Sequence, residues 1–115
     1  MDFLEMFFEE LREKGNEAIN DIKSFLESRD GALINDIYRL FHTIKGSASL
    51  VGLVGYKDLF HKIEDYFKSY LAGQGELSDE FLSRLLSIIP PLLERDGDLS
   101  ESEVQDLIDR LEGKK

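Results

Sequence analysis

Apolar side chains recur at steps of three and four residues through almost all of this 115-residue chain. That spacing places them along one face of an α-helix, and no segment alternates apolar and polar residues as a strand would. In the first segment the apolar positions are Leu4, Phe7, Phe8, Leu11, Gly15, Ala18, Ile22, Phe25 and Leu26. The periodicity predicts an all-α fold, with Phe3, Phe7, Phe8 and Phe25 in the core or in an interface.

The first three helices are separated by glycines. The first is predicted at roughly residues 2 to 28 and the second at about 31 to 51. Asp30 or Gly31 ends the first, and Asp30 is placed to accept hydrogen bonds from the start of the second. Gly52 and Gly55 bracket a short turn, after which a third periodic segment runs from Tyr56 to Gly73. The second and third helices therefore form an antiparallel hairpin.

Two capping sequences mark the remaining helices. Ser78 is a suitable N-cap for a fourth helix, and Ser100 and Glu103 form a capping box that opens a short fifth helix to about residue 112. Pro90-Pro91 lies inside the fourth apolar stripe, which predicts a kink or break near residues 86 to 90. The C-terminal Gly113-Lys114-Lys115 is expected to fray.

Four long amphipathic helices with short connections pack most economically as an antiparallel up-down-up-down four-helix bundle, here with a short fifth C-terminal helix. The length of 115 residues and the 42% hydrophobic content predict a single domain over residues 1–115.

Charge and composition limit the kinds of partner that the chain can bind. A net charge of -10 opposes binding to nucleic acid. With no cysteine, the chain can form no disulfide and no Cys-ligated metal site. No apolar run approaches the roughly 20 residues of a membrane span, and the acidic start Met1-Asp2-Phe3-Leu4-Glu5 is unlike a secretory signal. We therefore expect a cytoplasmic protein that binds neither nucleic acid nor membrane.

The two histidines, His42 and His61, both fall in the predicted hairpin. If its turn is centred near residue 53, residues equally distant from the centre stand at the same height, because each residue rises about 1.5 Å. His42 then faces Glu64, and Lys45 faces His61. All four side chains are expected within one helical turn.

The surface beside His42 is predicted to be bare. At 100° per residue, His42 is rotated well away from the buried stripe marked by Phe41 and Ile44. Gly46 and Ser49 follow one and two turns later. Glycine inside a helix costs about 1 kcal/mol relative to alanine, which suggests that a partner approaches the imidazole closely here. Close helix packing is the alternative use of Gly46.

An exposed imidazole beside a carboxylate can act as a nucleophile. If Glu64 accepts a hydrogen bond from Nδ1 of His42, the lone pair of Nε2 is free to attack phosphorus. Lys45 and His61 are candidates to donate hydrogen bonds to phosphoryl oxygens. The sequence contains no glycine-rich phosphate loop and no kinase motif, so the phosphoryl group is expected to come from another protein.

The segment from His42 to Leu53, HTIKGSASLVGL, followed by His61-Lys62-Ile63-Glu64, resembles the signature of histidine phosphotransfer (HPt) domains. Within that family it is most similar to the N-terminal phosphotransfer domain of CheA-type chemotaxis kinases. The resemblance implies that His42 accepts a phosphoryl group from the ATP-binding domain of a histidine kinase and passes it to an aspartate of a response-regulator receiver domain. It also implies that Lys45, Gly46, His61 and Glu64 match the corresponding motif positions.

Whether the chain counts as an enzyme depends on its context, because it would be part of a histidine kinase if it were the front of a CheA-like protein. No cofactor and no metal are expected, since a di-iron bundle needs paired Glu-x-x-His motifs that two histidines cannot supply. A non-catalytic adaptor that binds a receiver domain through the hairpin is the alternative function. Lys45 and Glu64 can also be read as ordinary surface residues, and His61 as a residue that only positions its neighbours or lines the groove.

Overall fold

The structure, a computed structural model, describes residues 2–114. These residues form five helices, and no strand occurs among them. The helices are α1 (Phe3–Ser28), α2 (Ala32–Leu50), α3 (Val54–Leu71), α4 (Asp79–Leu93) and α5 (Glu101–Leu111). Of the predicted fraying segment, Lys115 lies outside the described residues.

The helices pack as the periodicity predicts. α2 lies between α1 and α3, α4 packs on α1, and α5 packs on α3 and α4. The 26 residues of α1 account for the 39 Å long axis of the molecule, since a helix rises about 1.5 Å per residue. The all-α bundle with an added fifth helix is confirmed.

The first helix ends at Ser28, as predicted, but the residue that closes it is Arg29 rather than Asp30 or Gly31. Arg29, with a φ of 59°, adopts the left-handed conformation that closes α1. Its guanidinium makes a two-point hydrogen bond to the Asp79 carboxylate at 2.7 and 2.8 Å, which offsets part of the cost of this conformation. Asp30 accepts a hydrogen bond from the Ala32 amide at 3.0 Å, as predicted.

Large aromatic rings fill the centre of the bundle. Phe41 of α2 contacts Phe60 and Phe67 of α3, with ring centroids 5.9 and 5.4 Å apart. Tyr56 of α3 packs against Phe7 and Phe8 of α1, in both cases with centroids 5.8 Å apart. These contacts hold α3 against both α1 and α2.

One end of the bundle carries exposed apolar side chains. Phe3 is 78% exposed, so it lies outside the core that Phe7, Phe8 and Phe25 join. A shallow groove there is lined by Phe3, Met6, Phe7, Glu10, Ser47, Leu50 and Val51. Leu50, the last residue of α2, is 90% exposed.

The two prolines of α4 do not interrupt it. The helix continues through Pro90 and Pro91 to Leu93, so of the predicted kink or break near residues 86 to 90 the break is wrong, and the kink stays a prediction. Both prolines lie in the last turn, so the two N–H donors that they lack weaken only the end of the helix. The Leu92 carbonyl near this end accepts a hydrogen bond from the buried Tyr56 hydroxyl at 3.0 Å.

The turn between α2 and α3 is three residues long. Gly52 has a φ of 77°, a conformation that favours glycine. The third helix begins at Val54 rather than at Tyr56, so Gly55 lies inside the helix and does not bracket the turn. A Cβ atom on Gly55 would lie 2.1 Å from the Leu99 carbonyl oxygen, because the loop before α5 packs against this point.

The predicted caps of the last two helices are confirmed. The Ser78 hydroxyl accepts a hydrogen bond from the Phe81 amide at 3.1 Å, and Ser100 and Glu103 form the reciprocal capping box. Leu77 and Leu82 are both buried beside the Ser78 cap. None of the helices between residues 2 and 114 is long and apolar enough to cross a membrane.

We expect Gly55→Ala to destabilise the protein by about 1–3 kcal/mol. The added methyl group collides with the backbone of Leu99 rather than with a movable side chain. Gly46→Ala in α2 is the control, since a Cβ there meets nothing within 4 Å. That variant should gain about 1 kcal/mol from helix propensity. Urea denaturation measures both, and equal effects of the two substitutions would contradict the predicted packing difference.

Candidate functional site

His42 projects from the exposed side of α2. Its side chain is 59% exposed, whereas Phe41 and Ile44 on the same helix are fully buried. Tyr38, one turn earlier, stacks on the imidazole with ring centroids 6.1 Å apart and an interplanar angle of 27°. One face of the imidazole is therefore supported while much of the ring remains open to solvent.

Glu64 projects from α3 towards the imidazole. Its side chain is only 5% exposed, and its neighbours in sequence include the core residues Ile63 and Phe67. One carboxylate oxygen, Oε2, is hydrogen-bonded to Nδ1 of His42. The other, Oε1, accepts a hydrogen bond from Nζ of Lys45 at 3.0 Å. The hairpin geometry expected for His42 and Glu64 is present.

Two opposing effects set the charge state of Glu64. Burial raises the pKa of its carboxyl group, while the hydrogen bonds and positive charges of Lys45 and His42 lower it. The second effect prevails, and the pKa of Glu64 is lowered from its ordinary value. Glu64 is therefore a carboxylate near neutral pH and accepts from both partners.

This contact distinguishes the two ring nitrogens of His42. Because the carboxylate is an acceptor, the proton of the neutral ring is assigned to Nδ1. The lone pair then lies on Nε2, which hydrogen-bonds to no residue between 2 and 114. The geometry leaves Nε2 as the ring nitrogen without a hydrogen-bond partner in this part of the chain.

Lys45 and His61 have different partners from those predicted. Lys45 reaches Glu64 instead of facing His61. His61 is 54% exposed, and its Nε2 lies 3.7 Å from the carboxylate of Asp65, one turn later on α3. Sequence reasoning did not account for the length of the lysine side chain, which reaches the buried carboxylate of Glu64.

The surface beyond His42 is open, as predicted. A Cβ on Gly46 would meet nothing within 4 Å, and Ser49 is exposed. Core packing therefore does not require a glycine at position 46. His42, Gly46, Ser49 and Leu50 share this exposed side of α2.

Within residues 2–114, one group of side chains has the spacing to hold a metal ion, namely His61, Glu64 and Asp65. One ligand atom from each lies within 4.8 Å of the others. Both oxygens of Glu64 already accept hydrogen bonds from His42 and Lys45. The absence of a functional metal stays a prediction from the sequence.

Tyr38 and Asp98 were missed by the sequence reasoning. Tyr38 precedes His42 by four residues, a spacing that places two side chains side by side on a helix and offers a usable signal. Asp98 accepts hydrogen bonds at the start of α3 from a loop 42 and 43 residues away, and no sequence pattern marks such a contact.

An exposed imidazole on the second helix of an antiparallel bundle, oriented by a buried carboxylate on the third, is an arrangement suited to carrying a phosphoryl group. The model of the Hpt domain family matches residues 2–114, and the chain belongs to that family. It is thus a phosphotransfer domain of two-component signalling.

Two proteins named CheA are similar to this chain over nearly all of its length. The chain is 26% identical to the chemotaxis protein CheA of Borreliella burgdorferi over 96% of its length, and 28% identical to CheA of Bacillus subtilis over 98%. It spans only 13% and 16% of the length of these two proteins. No solved structure matches the chain.

The lowered pKa of Glu64 predicts a pH dependence of stability. The unfolded chain takes up a proton at Glu64 near the ordinary pKa of 4.5, and the folded protein does so only at lower pH. The stabilising contribution is therefore complete above that pKa and is lost as the pH falls through the folded value. We expect the free energy of unfolding to fall as the pH drops below the ordinary pKa of 4.5, and to fall less in Glu64→Gln.

Urea denaturation at a series of pH values measures this difference. Glu13→Gln, an exposed position on α1, is the control and should follow the wild-type curve. A Glu64→Gln curve parallel to the wild-type curve would remove Glu64 from the pH response.

Proposed function

We propose that His42 is the phosphoryl-carrying residue of this domain. The observation that supports this most directly is the contact of Nδ1 with Glu64, which leaves the lone pair of Nε2 exposed at the surface. In the proposed reaction, His42 accepts the group from the ATP-binding domain of a histidine kinase. It then donates the group to an aspartate of a response-regulator receiver domain.

In the first step, Nε2 attacks the γ-phosphorus of ATP held by the kinase. A bond forms between Nε2 and phosphorus, and the bond from phosphorus to the bridging oxygen breaks to release ADP. The ring becomes positively charged as it attacks while keeping its Nδ1 proton. Glu64 stabilises that charge through the existing hydrogen bond, with no rearrangement of the protein.

In the second step, a carboxylate oxygen of the receiver aspartate attacks the phosphorus. The bond between Nε2 and phosphorus breaks, and the electron pair returns to Nε2. His42 is restored to its starting tautomer with Nδ1 still bonded to Glu64. The domain therefore acts as an intermediate carrier, and both transfers depend mainly on positioning and charge.

The neighbouring residues have distinct proposed roles. Lys45 anchors Glu64 and can direct another of its N–H groups to a phosphoryl oxygen. His61 is a more distant donor on the neighbouring helix. Gly46 and Ser49 form the bare surface over which a partner domain approaches the imidazole.

The setting is proposed from the relatives. Both are named chemotaxis proteins, which supports chemotaxis-type signalling for this domain. We propose that it works in the cytoplasm, as one domain over residues 1–115, with a kinase ATP-binding domain and a receiver domain as partners. The net charge of -10 favours partner surfaces that carry basic side chains.

His42→Gln should abolish the acid-labile, alkali-stable label that a cognate kinase and radioactive ATP give, because glutamine has no nucleophilic ring nitrogen. Helicity measured by circular dichroism should be unchanged, since His42 is largely exposed. His61→Gln is the matched control and should keep the label. Label that persists in His42→Gln would refute the assignment, and partner binding without any label would favour the adaptor function.

Glu64→Ala should slow phosphorylation of His42 while leaving the bundle folded. The substitution removes both the group that fixes the tautomer and the charge that stabilises the transition state, so we expect a loss of about 10²-fold or more. Single-turnover labelling measures the rate, and circular dichroism checks the fold. A wild-type rate would exclude Glu64 from the mechanism.

A further inference from the structure

The start of α3 is capped by a distant part of the chain. Its N-cap residue, Leu53, makes no side-chain hydrogen bond, and the first turn contains no acidic residue. Asp98, in the loop between α4 and α5, supplies the missing acceptors. The Gly55 amide donates to Oδ2 of Asp98, and the Tyr56 amide donates to Oδ1, both at 3.2 Å.

The same loop contacts the backbone of α3 directly. The Leu99 carbonyl oxygen approaches Gly55 so closely that a Cβ would lie 2.1 Å from it. Leu99 itself is buried. The first turn of α3 is therefore held by two hydrogen bonds and by a close backbone contact with Leu99.

The loop is in turn fixed to α5. Nη2 of Arg95 donates to the Asp98 carbonyl oxygen at 3.0 Å, and Nη1 donates to Glu103 at 2.9 Å. Glu103 also accepts from the Ser100 amide in the capping box that begins α5. The start of α3, the loop and the start of α5 thus form one hydrogen-bonded unit.

α5 also holds α3 further along its length. The Tyr66 hydroxyl donates to the carboxylate of Glu112, which is the C-cap residue of α5. Among the described helices, α5 packs on α3 and α4 but not on α2, which carries His42. Any effect of α5 on His42 must therefore pass through α3 or α4.

α3 carries Glu64, nine residues after Gly55 and so about 14 Å along the helix. The height and rotation of the carboxylate relative to His42 follow from the axial position and rotation of the whole helix. Hydrogen bonds form only within a donor–acceptor range of about 2.7–3.2 Å, so a shift of about 1 Å is enough to break the contact with Nδ1.

We infer that Asp98 is a positioning residue for His42, which acts by fixing the start of α3 and thereby holding Glu64 under Nδ1. The inference rests on the proposed function for its consequence in phosphotransfer. Its structural part, the orientation of the imidazole by Glu64, is measurable without any partner protein.

The test uses Asp98→Ala, with Ser78→Ala as a matched control. Both substitutions remove the side-chain acceptor at a helix N-terminus, so both are expected to lower stability to a similar extent. Ser78 caps α4, which carries none of the site residues, whereas Asp98 caps the helix that carries Glu64. If the two variants lose equal stability but only Asp98→Ala changes His42, the change at His42 comes from positioning and not from lost stability.

Two readouts are used on the complete chain. The first is the pair of ¹⁵N chemical shifts of the His42 ring near neutral pH, which report the tautomer. The second is the rate of phosphorylation by phosphoramidate, in which the bond between phosphorus and nitrogen of the reagent breaks, ammonia leaves, and a bond from phosphorus to Nε2 forms.

Wild type and Ser78→Ala should show the tautomer with the proton on Nδ1 and equal rates. Asp98→Ala should show a weaker tautomer preference and a rate about three- to tenfold lower, because small misplacements of a positioning group are costly. In a Glu64→Ala background, Asp98→Ala should add no further loss of rate, since Asp98 acts through Glu64.

Folded Asp98→Ala with wild-type ring shifts and rate would overturn the inference, as would equal changes in Ser78→Ala. If Asp98→Ala does not fold, Asp98→Asn decides. It keeps one side-chain oxygen and loses one of the two acceptors at the start of α3, so ring shifts and a rate identical to wild type would overturn the inference. If wild type takes no label from phosphoramidate, the proposed function fails, and the ring shifts still test the positioning.

Discussion

The site depends on the hydrogen bonds that the buried Glu64 carboxylate accepts. A buried charge without partners is strongly unfavourable, yet Glu64 is tolerated beneath the surface because His42 and Lys45 bond to both of its oxygens. The same two bonds join α2 to α3 across the hairpin. The aromatic contacts of Phe41 with Phe60 and Phe67 keep the two helices at the spacing these bonds require.

Features set by local chemistry could be predicted from the sequence. The caps at Ser78 and Ser100 depend on residues within three positions, and they are where the pattern places them. The alignment of His42 with Glu64 was also predictable, because a short turn and a constant rise per residue leave little freedom in a hairpin. The exposed side of α2 followed from the same periodicity.

Features that depend on distant contacts could not be predicted. Arg29 adopts its left-handed conformation in a place where it can pair with Asp79, which lies 50 residues away. Asp98 caps α3 from another connection, so the helix begins two residues before the pattern suggests. Lys45 bonds to Glu64 because a buried charge attracts the nearest flexible cation, a choice that helical spacing alone does not determine.

The exposed apolar end of the bundle has a consequence for the protein in solution. Phe3 and Leu50 line the groove there together with the acidic Glu10, and the first ten residues contain no lysine or arginine. Repulsion between the acidic residues keeps the apolar ends of two molecules apart at low ionic strength. The screening length shrinks to about 3 Å in 1 M salt, which weakens that repulsion. We therefore expect concentrated salt to favour self-association through this end more than dilute buffer does.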